Sequence, residues 1–346
     1  MATLTPASAA AIARLRAYVP PPTQYHSLPL SRRAAVLILL FADRKGDLRV
    51  VLTMRASTLK SCETANRRVG EHSAKRARTQ MQDKLHFLEA CARKADALSE
   101  TPFQTARREA YEEIGLPLTD TKLPPPFKVE HLTELPANLA KTELGVRPCV
   151  AFLSASSSAS SEPAPDVEKT MLPRLDAKEV AAVFSAPFHN FLRAADEASY
   201  ASAPASTFPG IEAAGFPADW YKGTWTNWHE SRWRMHNFYV PVAGQTVTKP
   251  KPSHPHKTQA AMPYQQQQDV VDHLEGLSRY RVFGMTARIL VDAARVAYAE
   301  EPEFEHNAHF GDEEMIGRLM RMGRLGGVRR RDDELTREDL IAAAKL

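Results

Sequence analysis

The stretch ARREAYEEIGL at residues 106–116 decides the fold of this chain. Side chains three and four apart share one face of a helix, so Glu109 lies beside Glu112 and Glu113. From the same face Arg108 can bridge to Glu112. Most charged runs of this kind are solvated helix faces. Here no alternating lysine accompanies the glutamates, and such a carboxylate set suits a hard divalent cation such as Mg²⁺. Spacing alone leaves both interpretations open.

The residues on either side set the limits of this helix. Thr101 and Pro102 form a capped start with proline in the first turn, whereas Gly115 followed by Pro117 forms a stop. The pattern therefore predicts a helix from about Thr101 to Ile114, with its carboxylates exposed.

Composition limits the classes of protein to consider. With 346 residues and 43% apolar composition, the chain can bury one large core or two modest ones. No apolar run is long enough for a membrane span. The net charge of +4 does not imply nucleic acid as a partner. Cys62, Cys91 and Cys149 show no metal-like spacing, which favours a reducing compartment without disulfides.

Hydrophobic periodicity gives the order of elements along the chain. Strands are predicted at 33–42, 47–57, 129–135 and 145–155, a strand, turn and helix within 176–198, and amphipathic helices at 8–18 and 281–298. This order predicts an α/β (α+β) fold in which a mixed β-sheet lies between helices.

The predicted domains follow from the same pattern. Residues 1–29 form a helix and proline-rich lead-in, 30–300 form the main domain, and 301–346 form an unstructured charged tail. Mobile loops are expected at 156–175, 199–218 and 243–268. The tryptophans within 220–241 are expected in the core rather than in a ligand groove. His229 and His236 are expected to be structural or surface residues, because they lack a zinc-like spacing.

A motif larger than the helix emerges when the preceding loop is included. Glu100, Arg108-Glu109-Ala110, Glu112-Glu113 and Gly115-Leu116 follow the order E-x7-R-E-U-x-E-E-x-G-U, where U is apolar. This arrangement resembles the Nudix box. Flanking segments, including VVLTMRAS (50–57) and FGMTARILVDAAR (283–295), resemble the coenzyme A diphosphatase branch of that family. The resemblance covers roughly residues 30–300 and implies the Nudix fold.

The resemblance also implies a reaction and a metal. Enzymes of this branch hydrolyse the pyrophosphate of coenzyme A or acyl-CoA to 3′,5′-ADP and (acyl-)4′-phosphopantetheine, with Mg²⁺ or Mn²⁺ as cofactor. The implied metal ligands are Glu109, Glu112 and Glu113, of which Glu109 could instead orient the attacking water.

The remaining candidate catalytic residues come from the same resemblance. Arg108 would fix the glutamates by ion pairing, and Glu100 would reach in from the preceding loop. The catalytic base is not fixed by the motif. Glu179 is one candidate, although an exposed loop carboxylate is at least as good an interpretation of it.

The loop before the helix departs from the resemblance. The branch has a sequence like F/L-P-G-G-K-x-D there, whose glycines allow positive φ and close backbone approach to metal and phosphate. This chain keeps Lys94, but Ala92 and Arg93 stand in place of the glycines, and residues 62–93 resemble nothing in the family. The segment is basic enough to contact phosphates, but a translated intron or aberrant splice product is the favoured interpretation.

This departure leaves the function with alternatives. We expect residues 62–93 to be a poorly packed or helical insertion and hydrolysis of coenzyme A to be weak or absent. The chain would then be an impaired Nudix-fold protein that still binds a nucleotide. A hydrolase for another diphosphate, such as NADH or ADP-ribose, is the other alternative.

The two ends of the chain bear on localisation. Ala344, Lys345 and Leu346 resemble a Ser-Lys-Leu import tripeptide, which predicts a peroxisomal protein with the import receptor as a partner. A chance ending is the alternative. The first acidic residue is Asp43, so a mitochondrial presequence is a second possibility. Cytoplasmic residence is the third.

Overall fold

The structure is a computed structural model that describes residues 4–55, 93–94, 97, 99–155, 167–171, 180–197, 219–228, 231–243, 245–249, 277–327 and 335–345. Several predictions lie outside these residues: the insertion at 62–93 apart from Arg93, the loop at 199–218, most of the loops at 156–175 and 243–268, Glu179, His229 and Leu346. The apolar runs at 33–42 and 145–155 form strands, as the sequence predicts.

A mixed sheet forms the centre of the described structure. Its strands are β1 (Arg33–Ala42), β2 (Leu48–Arg55), β3 (Arg93–Lys94), β4 (Phe127–Glu134), β5 (Asn138–Leu139), β6 (Gly145–Ala155) and β7 (Val180–Pro187). The strand order is β4-β6-β1-β2-β7, with β3 paired to β1 and β5 paired to β6. Strands β1 and β6 run parallel, and the other pairs are antiparallel.

A smaller antiparallel sheet follows along the chain. It contains β8 (Tyr221–Trp228), β9 (Ser231–Pro241) and β10 (Arg279–Phe283) in the order β10-β9-β8. Trp220 and Trp233 are buried, so the prediction of a core role is confirmed for these two. His236 is fully buried, where it contacts Tyr221 and His306 through its two ring nitrogens, and is therefore structural.

Five helices surround the sheets within the described residues: α1 (Pro6–Ala17), α2 (Pro102–Ile114), α3 (Gly284–Tyr298), α4 (Glu313–Arg321) and α5 (Arg337–Ala344). In β1 the side chains alternate between two apolar clusters. Val36, Ile38 and Leu40 pack with α1 and α3, whereas Leu39 and Phe41 pack with α2. Helices therefore cover both faces of the sheet, and the predicted mixed sheet between helices is confirmed.

Two details differ from the sequence-based expectations. The predicted helix at 281–298 begins at Gly284, because Arg279–Phe283 pairs with β9 as a strand. The helix expected after β7 is a 3-10 turn, His189–Leu192, within the described residues. No described helix has the length and apolar character needed to cross a lipid bilayer.

The expected unstructured tail is also corrected. Helices α4 and α5 bury Ile316, Leu319, Leu340 and Ala343 in one apolar cluster with Tyr25 of the lead-in. The chain just before α5 is fastened as well, since one buried oxygen of Glu143 accepts the Leu335 backbone N–H while the other pairs with the guanidinium of Arg32. Charge along this segment marks the outer side of amphipathic helices rather than a solvated tail.

Candidate active site on helix α2

The ends of α2 are fixed by the residues that the sequence singles out. Thr101 accepts a hydrogen bond from the Gln104 backbone N–H, and the Gln104 side chain accepts one from Thr101, which completes a capping box. At the other end Gly115 has φ of 69°, a left-handed conformation that glycine adopts without a Cβ penalty. The predicted helix is therefore confirmed at both ends.

Arg108 lies at the centre of the carboxylate cluster. Its Nε is 3.0 Å from Oε1 of Glu100, and its Nη1 is 2.7 Å from Oε1 of Glu109 and 3.3 Å from Oε1 of Glu112. A planar guanidinium with five donors can hold several carboxylates in fixed directions, which an ammonium cannot. The structure thus brings Glu100, Glu109 and Glu112 together around one cation.

The carboxylates differ in burial, which corrects the expectation that they are exposed. Glu109 and Glu113 are 3% and 6% exposed, whereas the Glu112 side chain is 35% exposed. Glu109 and Glu113 lie one turn apart and face the sheet side of α2, and Glu112 faces its solvent side. Two buried carboxylates one turn apart cost free energy unless a cation balances them.

A cleft in the main sheet receives Glu109 and Glu113. Strands β1 and β2 pair only from Leu40–Val50 to Ala42–Leu48, so they separate before this point of β1. The gap is lined by residues 36–39 of β1, 50–53 of β2, Glu109 and Glu113 of α2, and Thr286, Ile289 and Leu290 of α3. The cleft thus joins α2 and α3 through an opening between two strands.

The donor set of this cluster fits a hard divalent cation. Glu109, Glu112 and Glu113 offer carboxylate oxygens from adjacent turns, which are the ligands that Mg²⁺ and Mn²⁺ prefer. Glu109 and Glu113 are buried, so their carboxylates do not belong to a solvated face. The oxygen chemistry and the burial suit a metal ion better than they suit a solvated face.

Arg107 shows how different two neighbouring arginines are. It is 4% exposed, and its Nε donates to the Pro117 carbonyl at 2.7 Å while its Nη2 lies 3.4 Å from Asp120. Arg107 therefore fastens the chain after Gly115 to the helix. The motif contains Arg108 but not Arg107, and the structure gives the two arginines different contacts.

The loop that precedes α2 is described only in part. Arg93 and Lys94 form β3 and pair antiparallel with Ala35 and Ala34 of β1. Residue 93, where the resemblance implies glycine, is thus part of the central sheet next to α2.

Sequence reasoning missed the contribution of α3 to the cleft. The segment 283–295 resembles the family, and yet no site residue was expected there. Thr286 is the polar residue that α3 adds, in the first turn after Gly284, whose φ is 66°. In the sequence, Thr286 is a single hydroxyl residue at the start of an otherwise apolar helix face. Such residues are common, so this pattern does not identify a site residue.

Comparisons with known proteins extend this picture. No family model matches the chain. Peroxisomal coenzyme A diphosphatase 1 of Saccharomyces cerevisiae is 29% identical over 303 residues, covering 82% of this chain and 74% of that protein. Two Arabidopsis thaliana proteins, the mitochondrial Nudix hydrolase 15 and the chloroplastic Nudix hydrolase 22, are 26% and 27% identical over 273 residues, each covering 79% of this chain.

These matches confirm the resemblance inferred from the sequence. The chain has a mixed sheet between helices and is similar to Nudix hydrolases over about four fifths of its length, which supports a Nudix pyrophosphohydrolase. Among its relatives is a coenzyme A diphosphatase. The chain spans about three quarters of the yeast protein and about three fifths of each plant protein.

Proposed function

We propose that the protein hydrolyses the pyrophosphate bond of coenzyme A or an acyl-CoA, to 3′,5′-ADP and (acyl-)4′-phosphopantetheine, with Mg²⁺ or Mn²⁺. The observation that carries the proposal is the carboxylate cluster of α2, which is organised by Arg108 and of which Glu109 and Glu113 line the cleft between β1 and β2. The similarity to the yeast enzyme supports this choice of substrate over other diphosphates.

Each residue of the cluster has a part in the proposed reaction. Glu109, Glu112 and Glu113 would hold the metal, and Arg108 would keep Glu109 and Glu112 in position. When bound, the metal would offset charge that develops on the pyrophosphate and lower the pKa of the attacking water. Glu109 is also placed to orient that water, because its carboxylate lines the cleft.

Glu100 acts through Arg108 in this proposal. Its two oxygens lie 3.0 and 3.5 Å from Nε and Nη2 of Arg108, a side-on arrangement typical of guanidinium and carboxylate. Glu100 is therefore a positioning residue rather than a ligand. The role of base stays with Glu179 as a proposal from sequence alone.

Substitution of Glu112 provides the direct test. We expect Glu112→Gln to abolish Mg²⁺-dependent release of 3′,5′-ADP from coenzyme A, because the amide loses the charge that a metal ligand needs. Folding should be retained, since this side chain is partly exposed. Glu338→Gln, an exposed glutamate on α5, is the matched control. Undiminished hydrolysis by Glu112→Gln would disprove the assigned metal site.

A catalytically impaired chain is the second candidate function. Ala92 and Arg93 replace the expected glycines, and the backbone of Arg93 pairs with Ala35 in the central sheet. Such a chain would still bind a nucleotide without cleaving it. Calorimetric binding of coenzyme A with no release of 3′,5′-ADP would favour this candidate, and a panel containing NADH and ADP-ribose separates both from a hydrolase for another diphosphate.

Peroxisomal localisation is proposed together with the substrate. The tripeptide begins at Ala344, the last residue of α5, and the yeast relative is named as peroxisomal. An N-terminal fluorescent fusion should be punctate and become diffuse when residues 344–346 are deleted. Puncta that persist after the deletion would disprove import through this tripeptide, and overlap with mitochondria would favour the presequence.

A further inference from the structure

A second group of potential metal ligands lies on β4 and β6. The ligand atoms of His131, Glu134 and Cys149 all lie within 4.8 Å of one another. In a regular strand His131 and Glu134, three residues apart, would point to opposite faces. The register shifts between His131 and Thr133, and a bulge of this kind turns both side chains towards Cys149.

We propose that His131, Glu134 and Cys149 form a site for Zn²⁺, separate from the carboxylate cluster of α2. One nitrogen, one oxygen and one sulfur donor match the ligands of this borderline-soft ion and leave a fourth position open. Hard cations such as Mg²⁺ avoid thiolates, so the two sites select different metals.

Tyr25 provides a second observation at the same place. It is 2% exposed, and its hydroxyl has no hydrogen-bond partner. Tyr25 belongs to a 3-10 turn, Tyr25–Ser27, that packs against β6, the strand of Cys149. Its oxygen is available to a water molecule in the fourth position of the ion, which would satisfy a buried polar atom that is otherwise costly.

Neighbouring residues already orient two of the three ligands. Arg147 holds Oε2 of Glu134 at 3.0 Å, which leaves Oε1 for the ion. Phe103 stacks on the His131 ring with centroids 4.1 Å apart. Outer contacts of this kind fix the direction of ligands in metal sites.

The proposed zinc site lies close to the cleft but shares no ligand with it. Cys149 packs against Ala35 and Ala106 beneath α2, and Ala106 also lines the cleft. Glu109 and Glu113 of the cleft belong to α2, whereas the three zinc ligands belong to β4 and β6.

Cobalt titration of the full chain tests the proposal, because Co²⁺ bound to a thiolate absorbs in the near ultraviolet. We expect one equivalent of Co²⁺ to produce this absorption and Zn²⁺ to displace it. Cys149→Ser should abolish the band. Cys62→Ser/Cys91→Ser, which keeps Cys149 as the remaining cysteine, should retain it and is the matched control.

Two further variants guard against misfolding and against confusion with the first site. His131→Asn changes an exposed side chain and should weaken Co²⁺ binding while the fold is retained. Glu112→Gln should leave the band intact. A band that survives Cys149→Ser, or one that vanishes in Cys62→Ser/Cys91→Ser, would overturn the proposal.

Discussion

Helix α2 meets the requirements of the family motif, whereas the loop before it does not. From Glu100 to Leu116 the motif residues are present, the helix is capped at both ends, and Arg108 gathers three carboxylates. Before Glu100, alanine and arginine occupy the positions of two glycines, and Arg93 pairs with β1.

This difference shows that a site for metal and phosphate has two separate structural requirements, one met by the helix and one by the loop. Carboxylates on a helix supply charge, and their geometry follows from helix periodicity alone. The loop would supply backbone groups at close range, which depends on conformations that a Cβ disfavours. A chain can therefore keep the ligands of a reaction while it loses part of the surface that receives the substrate.

Of the changes considered, replacement of the loop should have the largest effect on activity. We expect replacement of residues 62–93 by a short loop ending in Leu-Pro-Gly-Gly to raise kcat/KM for coenzyme A by orders of magnitude, because backbone donors would then reach the phosphates. The measurement is steady-state hydrolysis of coenzyme A in Mg²⁺. A matched loop ending in Leu-Pro-Ala-Ala should give no such gain.

The unaltered chain can contradict this expectation directly. If it already hydrolyses coenzyme A with kcat/KM of roughly 10⁴ M⁻¹s⁻¹ or more, the loop is not a defect. Residues 62–93 would then supply the contacts that the glycines provide elsewhere.

Much of the fold could be predicted because its signals are local. The strand at 33–42 and the helix at 101–114 follow from apolar periodicity and caps, and both have the predicted limits within a residue. The strand Arg279–Phe283 could not be separated from α3, since only its pairing with β9 distinguishes the two. Helices α4 and α5 were not predicted, because their apolar faces are short and can be recognised only from their packing against Tyr25 and its neighbours.

The site was predictable to the extent that one element carries it. Arg108 and its glutamates lie on one helix, so their proximity follows from spacing. Burial of Glu109 and Glu113 did not follow, because it depends on where β1 and β2 separate. The proximity of His131 to Cys149 was hidden in the same way, since a bulge in β4 and the pairing of distant strands create it.

The two adjacent arginines offer a finer test of what α2 contributes. Arg108→Lys should lower kcat/KM by about tenfold or more with a modest loss of stability, because one ammonium cannot hold three carboxylates. Arg107→Lys should lower stability by roughly 1–3 kcal/mol through loss of its contact with the Pro117 carbonyl, with a smaller effect on kcat/KM.

Thermal or chemical unfolding measured beside kinetics separates the two variants. Equal losses of activity in Arg107→Lys and Arg108→Lys, at equal stability, would mean that Arg108 has no positioning role. In that case the guanidinium of Arg108 only neutralises the helix face.

The smallest expected effect concerns the end of α2. Gly115 has φ of 69°, and its N–H bonds to the carbonyls of Ala110 and Tyr111. An alanine in this conformation should lower the free energy of unfolding by about 1 kcal/mol, since its Cβ meets the following carbonyl. Gly323→Ala, at φ of 75° with open space around it, is the matched control for this strain. Both variants should lose similar stability and keep their kcat/KM, because the ion pairs with Arg108 and the packing in the cleft hold the carboxylates in place. If the two variants are equally stable but only Gly115→Ala loses activity, the last turn of α2 positions Glu113.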